Sequence, residues 1–308
     1  MLKRNLAETW AVQAGAREVA FYQTIASLPN RLPMIVQCYD AVYDAATGNS
    51  HVLLQDVSAT HRPLLTREQV MLVGENVPAD VFLHAVVDTL AQFHAYWWEH
   101  SLLGTGVAQM GSWWQDQANY THEIERREAS WASLIAAERT WFPEHLQRLY
   151  EDALMGLPRL WEQHHEPRLA TLHNLTLTHN DAYFANFLCP NEGTTGETYL
   201  IDWQGPAAGR GADDLANLMA TFWTSAQRNE EQRETKILRR YLDVLQMHGV
   251  QNYTWEELLV DYRIGVIEWL FQPVQDRADG TGKEYWWPKL QCLAAAFQDL
   301  NCAELLKS

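Results

Sequence analysis

Three oxygen-bearing side chains lie close together between Thr178 and Gly205. The segment Thr178–Phe187 reads THNDAYFANF and the segment Tyr199–Gly205 reads YLIDWQG, so Asp181, Asn186 and Asp202 occur beside apolar residues able to hold them rigid. Carboxylate and amide oxygens are the hard ligands that Mg²⁺ prefers in proteins. Because Asp and Asn in loops more often form turns and helix caps, a functional interpretation needs support from the rest of the chain.

The spacing of these residues matches the catalytic loop of protein kinases. In that loop, D-x-x-x-x-N supplies an Asp that receives the proton of the acceptor hydroxyl and an Asn that holds Mg²⁺. Asp181 and Asn186 have this spacing. Asp202 ends an apolar run and takes the place of the D-F-G aspartate, so all three roles occur in the right order.

The chain resembles the aminoglycoside phosphotransferase and choline/ecdysteroid-kinase group of small-molecule kinases. The resemblance is carried by HNDAYFANF, LIDWQG and GRGADDLANL, and upstream by REVAFYQTI, HVLLQDVS and LAQFHAYWW. It extends from about Lys3 to Leu218, and the combined order of the motifs makes it specific. It implies an α+β, protein-kinase-like bilobal fold, with a small mixed lobe and a large, mainly helical lobe.

The resemblance also implies an activity, the transfer of the γ-phosphate of ATP to a hydroxyl of a small molecule, assisted by Mg²⁺. Asp181 is then the catalytic base, and Asn186 and Asp202 hold the metal. Lys3, paired with Glu18, would bind the α- and β-phosphates. No A-P-E signature of protein kinases is seen, so a protein substrate is disfavoured.

Other residues acquire supporting roles through the same resemblance. The backbone from Gln55 to Val57 would meet the adenine edge. His179 would hydrogen-bond backbone near the metal-binding aspartate, and Asp214 would accept backbone N–H groups of the catalytic loop. Asp213 is expected to cap the helix that begins there.

The N-terminus departs from the pattern of such kinases. A β-hairpin with a Gly-rich, phosphate-covering loop normally precedes the strand that carries the lysine, but Lys3 is the third residue of this sequence. Either the protein starts upstream of Met1 and includes this hairpin, or it has an N-terminally shortened lobe in which Lys3 is poorly ordered. This departure motivates an alternative function, a catalytically impaired kinase-fold binding protein that lacks the Gly-rich loop.

Hydrophobic patterns predict the elements around these residues. A helix is expected over residues 16–28, followed by a hairpin of two strands around AATGNS, and an amphipathic helix over residues 79–100. The change from mixed to helical character places a lobe boundary after residue 58. The predicted division is a nucleotide-binding lobe with hinge, 1–58, and a catalytic and acceptor-binding lobe, 59–308.

Composition narrows the class of protein. The 308 residues include 47% hydrophobic and 20% charged residues, with a net charge of −16. This charge disfavours nucleic-acid binding and favours a neutral or cationic substrate. No run is long and apolar enough for a membrane span or signal peptide, and four scattered cysteines indicate no disulfide framework, so a cytoplasmic protein is predicted.

A third hypothesis is a metal-dependent hydrolase that uses His179 and Asp181 as an H-x-D ligand pair. His164, His165 and His173 do not have the spacing of a metal site. His94 is expected in the core. The pair Trp286 and Trp287 is expected to pack rather than to line an acceptor pocket.

Overall fold

The computed structural model describes residues 1–6, 8–111 and 113–307. Its N-terminal elements are β1 (Leu2–Arg4), α1 (Thr9–Ser27), β2 (Cys38–Asp44) and β3 (Asn49–Leu54). The three strands form an antiparallel sheet in the order β1-β3-β2. The predicted hairpin is the β2–β3 pair, closed by a turn in which Gly48 adopts φ 73°.

Lys3 lies in a paired strand, which differs from the expectation that it is poorly ordered. It is opposite Val52 in the β1–β3 ladder, and the terminal ammonium of Met1 donates to the carbonyl of Leu54 at 2.6 Å. The ladder restrains the backbone of a residue so close to the terminus.

Helix α1 begins seven residues earlier than the sequence pattern suggested, at Thr9. Its first half buries the small residues Ala11, Ala14 and Gly15 rather than large apolar ones, so hydrophobic periodicity is weak there. A Cβ on Gly15 would lie 2.2 Å from Ser50 Oγ. Glycine therefore lets α1 pack closely against β3.

The remainder of the chain is mainly helical. Its helices are α2 (Arg67–Met71), α3 (Asp80–Trp97), α4 (Gln117–Glu138), α5 (Glu144–Leu160), α6 (Glu166–Thr171), α7 (Gly211–Met219), α8 (Ser225–Asn229), α9 (Arg233–Met247), α10 (Trp255–Trp269), α11 (Gln272–Ala278) and α12 (Lys283–Asp299). The predicted helix over 79–100 corresponds to α3. No helix in the described residues combines the length and the apolarity needed to cross a bilayer.

Short strands frame the segment that carries the motif. They are β4 (His61–Pro63), β5 (Thr176–Thr178), β6 (Phe187–Pro190), β7 (Tyr199–Leu200) and β8 (Ala207–Gly209). One sheet has the order β4-β6-β7, and β5 pairs with β8. Because these antiparallel pairs flank both loops, they bring the HNDAYFAN segment next to the LIDWQG segment.

One apolar core connects the two parts of the chain. Phe21 of α1 stacks on Trp203 with ring centroids 4.0 Å apart and an interplanar angle of 9°. Phe93 of α3 packs on the same indole at 4.6 Å. Trp203 directly follows Asp202, so this contact ties α1 to the segment carrying that carboxylate. The observed mixture of helices and small sheets confirms the predicted α+β class.

Candidate active site

Asp214 is the buried anchor of the HNDAYFAN loop. Its carboxylate has no solvent exposure and accepts the backbone N–H groups of His179 (2.7 Å to Oδ2) and Asn180 (2.8 Å to Oδ1). His94, also fully buried, lies 3.2 Å from Oδ2 through Nε2. These contacts match the loop-anchoring role predicted for Asp214. They also place His94 beside it, a link that the sequence did not indicate.

Asp213 does not cap its helix, and that expectation is wrong. It lies three residues inside the helical boundary, and Arg210 occupies the N-cap position without a side-chain cap bond. The Asp213 carboxylate instead accepts from Arg210 Nε at 3.1 Å. Both side chains are buried, so pairing replaces the hydration that each charge loses on folding.

Both ring nitrogens of His179 are committed to backbone hydrogen bonds. The N–H of Asp181 donates to Nδ1 at 3.2 Å, which leaves the proton on Nε2 to be donated to the carbonyl of Ile201 at 2.9 Å. Burial lowers the pKa of His179, which favours this neutral form. A histidine without a free lone pair cannot bind a metal, so the geometry argues against the hydrolase hypothesis.

Asn180, where such kinases have glycine, adopts φ 61°. Asparagine tolerates this left-handed conformation better than most residues. Its side chain also donates from Nδ2 to the carbonyl of Gly205 at 2.8 Å. The residue thus replaces the conformational freedom of glycine and adds a bond between the HNDAYFAN loop and the LIDWQG loop.

Asp181 and Asn186 are in contact. Asn186 Nδ2 donates to the Asp181 carbonyl at 2.9 Å and to the Asp181 Oδ2 at 3.3 Å. These bonds use the amide nitrogen of Asn186, so its Oδ1 remains as an acceptor. Asp181 as a residue is exposed to solvent, but protein atoms packed around its carboxylate partly bury that group. This burial, together with the Asp202 charge, raises the pKa of Asp181 to about 7. Such a carboxylate accepts a proton readily near neutral pH.

Asp202, Lys3 and Glu18 form a second cluster. Lys3 Nζ lies 2.9 Å from Glu18 Oε1 and also donates to Asp202 Oδ1. Burial alone lowers the pKa of Lys3, but the Glu18 and Asp202 carboxylates outweigh this effect and raise it. Asp202 adopts φ 68°, an unusual conformation for a residue with a side chain and one that often marks functional sites.

Backbone pairing brings the metal candidates Asn186 and Asp202 together. The N–H of Ile201, which precedes Asp202, donates to the Asn186 carbonyl at 3.0 Å, beside the β6–β7 pair of Phe187 and Leu200. One carboxylate and one amide oxygen suit Mg²⁺, which keeps several water or phosphate ligands. In the described residues, no group of three or more His, Cys, Asp or Glu side chains could hold a metal by itself.

The segment Gln55–Val57 crosses between the two parts of the chain. The N–H of Gln55 donates to the Gln37 carbonyl at 2.8 Å, and the Val57 carbonyl accepts from His61 at 2.9 Å. Apart from strand ladders, no backbone hydrogen bond in the described residues involves the Gln55 carbonyl or the Val57 N–H. They provide an acceptor and a donor of the kind that an adenine edge requires.

Asp181 lines a cavity of about 270 Å³ that was not predicted from the sequence. Its walls include Tyr183, Phe222, Asp276, Tyr285 and Lys289. A chamber of about 860 Å³, lined in part by α1, shares Asn180, Trp269 and Gln272 with it. Neither lining includes Trp286 or Trp287, and Trp287 instead packs against Trp141 at 4.9 Å, as expected.

The sequence carried one overlooked signal for this cavity. Lys289 is a buried lysine on the apolar face of α12, close to the buried Trp286, Leu290 and Leu293. Lysine is almost never fully buried without a partner. A charged residue on a core-facing helical stripe therefore indicates a site, and it was missed because α12 lies beyond the recognisable motifs.

The class of the fold is established by solved structures. A choline/ethanolamine kinase family protein from Mesorhizobium loti superposes with a TM-score of 0.55 at 11% identity, over 99% of this chain and 86% of its own. A mutant aminoglycoside 2′-phosphotransferase-IIIa in its GDP complex gives 0.53 at 12% identity, over 93% and 82%. An ethanolamine kinase from Plasmodium vivax gives 0.51 at 13% identity, over 93% and 73%. The resemblance predicted from the motifs is confirmed.

A match to a sequence-family model identifies the family of this chain. The model for DUF1679, described as "Uncharacterized oxidoreductase dhs-27", matches residues 13–267, and the chain belongs to this family. The word oxidoreductase in that description refers to the protein dhs-27. No curated protein sequence matches the chain significantly.

Replacing Asp214 by Asn tests its role as an anchor. Asn has one acceptor oxygen, so its amide must face one of the two backbone N–H groups that now bind the carboxylate. We expect Asp214→Asn to destabilise the protein by about 3 kcal/mol, because a buried donor loses a charged partner. Urea unfolding measures this loss, with the exposed Asp152→Asn as a matched control. Equal midpoints for the two variants contradict the anchoring role.

Proposed function

We propose that the protein transfers the γ-phosphate of ATP to a hydroxyl group of a small molecule. One observation carries the proposal: Lys3, Asn186 and Asp202 converge beside Asp181, a carboxylate of raised pKa that lines a cavity. Phosphoryl transfer depends mostly on positioning and electrostatics, which such a cluster supplies. The kinase names of the structural neighbours agree with this chemistry.

In this proposal Asp181 orients the acceptor hydroxyl and takes its proton as the oxygen bonds to the γ-phosphorus. The bond from that phosphorus to the bridging oxygen breaks, and ADP leaves. Lys3, oriented by Glu18, pairs with the phosphates of the nucleotide. When ATP binds, Lys3 must exchange its contact with Asp202 for a contact with phosphate. Binding of Mg²⁺ by Asp202 would favour this exchange.

Asn186 and Asp202 would hold Mg²⁺, whose charge offsets that of the phosphates. Asn186 fits this role because its Nδ2 is turned toward Asp181, so that its oxygen faces away. Gln55 and Val57 would bind the adenine edge through the backbone. We propose the lobe division 1–58 and 59–308 on the same basis, with the nucleotide between the lobes, and place the reaction in the cytoplasm, where ATP is available.

The direct test measures nucleotide binding and turnover in the same preparation. Thermal-shift titration with ATP, with and without Mg²⁺, should show stabilisation that depends on the metal. ADP release with a panel of small alcohols should then show transfer. Binding without any transfer favours the kinase-fold binding protein, and the absence of both rejects the proposal.

The pH dependence of turnover should identify Asp181. Because its pKa is raised to about 7, the carboxyl is protonated below that pH and cannot accept the hydroxyl proton. We expect kcat/KM for the acceptor to rise about tenfold per pH unit and to reach a plateau above about pH 7. Burial lowers the pKa of the nearby His179, so the rise is not due to that ring. A profile that is flat through this range contradicts the assignment.

A further inference from the structure

The cavity beside Asp181 contains two cationic side chains, Lys289 and Arg67. Lys289 is only 6% exposed. Its ammonium has therefore lost most of its hydration. Its ion pair is long, with 3.9 Å between Nζ and Asp276 Oδ2. Within the described residues Nζ makes no hydrogen bond, so its three donors are available to a ligand.

The immediate surroundings of the Lys289 ammonium belong to the cavity wall. Nζ lies 3.6 Å from the ring centroid of Tyr285 and 5.4 Å from that of Phe222. Tyr285, Phe222 and Asp276 all line the cavity. An ammonium above aromatic rings and beside a carboxylate occupies the position where an external cationic group would be bound. A cationic acceptor would therefore meet this charge.

The partner carboxylate compensates Lys289 incompletely. Asp276 Oδ1 accepts from Gln272 Nε2 at 2.7 Å. Burial lowers the pKa of Lys289 to about 8, and the attraction of Asp276 and Asp181 offsets only part of that effect. Burying a charge without hydrogen bonds is unfavourable, so an anionic ligand would restore what the ammonium has lost.

Arg67 adds a second positive charge at the rim. It is the first residue of α2 and is exposed, and no ion pair involves it within the described ranges. The lining thus carries two cations, Lys289 and Arg67, and two carboxylates, Asp276 and Asp181, and Asp181 must remain ionised to accept the hydroxyl proton. Among these four groups the described residues form one ion pair, the long one between Lys289 and Asp276, so hydrogen-bond donors of Lys289 and Arg67 remain for a ligand.

We propose that Lys289, with Arg67, determines acceptor specificity by binding an anionic group, a carboxylate or a phosphate, on the molecule whose hydroxyl faces Asp181. This inference rests on the proposed kinase function. It reverses the expectation of a neutral or cationic substrate drawn from the net charge of −16. Exposed charges act weakly beyond about 10 Å in salt, whereas a buried ammonium acts at contact distance.

Four probes that share a three-carbon skeleton test the charge preference. Glycerate carries a carboxylate, glycerol is neutral, and 3-amino-1,2-propanediol carries an ammonium. Glycerol 3-phosphate supplies the phosphate form. Binding is measured by isothermal titration calorimetry without nucleotide, so that the result does not depend on catalysis, and ADP release with ATP is measured separately.

We expect at least one anionic probe to bind about 10- to 100-fold more tightly than glycerol, and the ammonium probe to bind most weakly. The tighter of the two anionic probes identifies the group. If neither binds more tightly than glycerol, the inference is overturned. Anion preference without phosphate transfer counts against the kinase proposal and leaves only the anion-binding site at Lys289 standing, whereas transfer without the preference overturns the anion-binding site and leaves the kinase proposal standing.

Variants connect the preference to Lys289. Lys289→Met should abolish the advantage of the anionic probe, and Lys289→Arg should retain most of it. Lys283→Met removes a charge from the same helix, where Lys283 lies over Trp141 rather than in the cavity, and should change nothing. Asp276→Asn removes the competing carboxylate and should tighten anion binding, which keeps the test decisive if Lys289→Met does not fold. Unchanged selectivity in both Lys289→Met and Asp276→Asn overturns the inference.

Discussion

Asp181→Asn should reduce phosphate transfer by about 10²- to 10⁴-fold and leave the affinity for ATP within about threefold of the parent. The amide retains the shape of the carboxylate but cannot accept the hydroxyl proton. Asn186 Nδ2 still has the Asp181 backbone carbonyl as an acceptor at 2.9 Å, so we expect the loop to keep its conformation. Steady-state kinetics and nucleotide titration on the same sample measure the two quantities.

The stability of Asp181→Asn provides an internal control. The pKa of Asp181 is raised from 3.8 to about 7, so its ionisation disfavours the folded state at and above neutral pH. This effect is absent below about pH 4 and grows as pH rises to about 7. Because solvent reaches the carboxylate, we expect the substitution to stabilise the fold at pH 8 by only about 1 kcal/mol. A variant that is inactive and also less stable at that pH has lost structure rather than a base.

Asp202→Ala should weaken Mg²⁺-dependent binding of ATP by more than about 100-fold. Asn186, the other proposed ligand, is neutral, and one amide oxygen is a poor substitute for a carboxylate on a small divalent cation. Isothermal titration with ATP at several Mg²⁺ concentrations measures the loss. Metal dependence equal to that of the parent contradicts the role of Asp202.

The contact between Asp202 and Lys3 makes a further comparison necessary. Without Asp202, Glu18 is the one carboxylate partner that the described residues leave to Lys3, so metal-independent ATP binding by the lysine should persist or increase slightly. Asp152→Asn, an exposed carboxylate on α5, is the matched control for the change of net charge. If Asp202→Ala lost binding equally with and without Mg²⁺, the side chain would be structural.

The kinase-like core of the site could be predicted from the sequence because its geometry is local. Asp181 and Asn186 are five residues apart on one loop, and the hydrogen bond between them closes within that loop. Asp214 could be assigned because its backbone partners belong to the same motif set. Short-range sterics and hydrogen bonding limit such segments to few conformations, so spacing alone carries the information. Asp213 shows the limit of this reasoning, since a helix-start position suggested a cap, but its carboxylate instead pairs with the buried Arg210 three residues earlier.

The sequence by itself determined the HNDAYFAN loop with its local hydrogen bonds and the α+β class, and only the tertiary structure decided what surrounds the loop. The contact of Lys3 with Asp202 spans 199 residues, and that of His94 with Asp214 spans 120. The cavity is assembled from α2, α7, α10, α11 and α12, whose residues have the same helical periodicity whether they face a core or a ligand. The packing of helices that are distant in sequence decides which helix face lines the cavity. The position of Lys289 in the cavity therefore follows only from the tertiary structure.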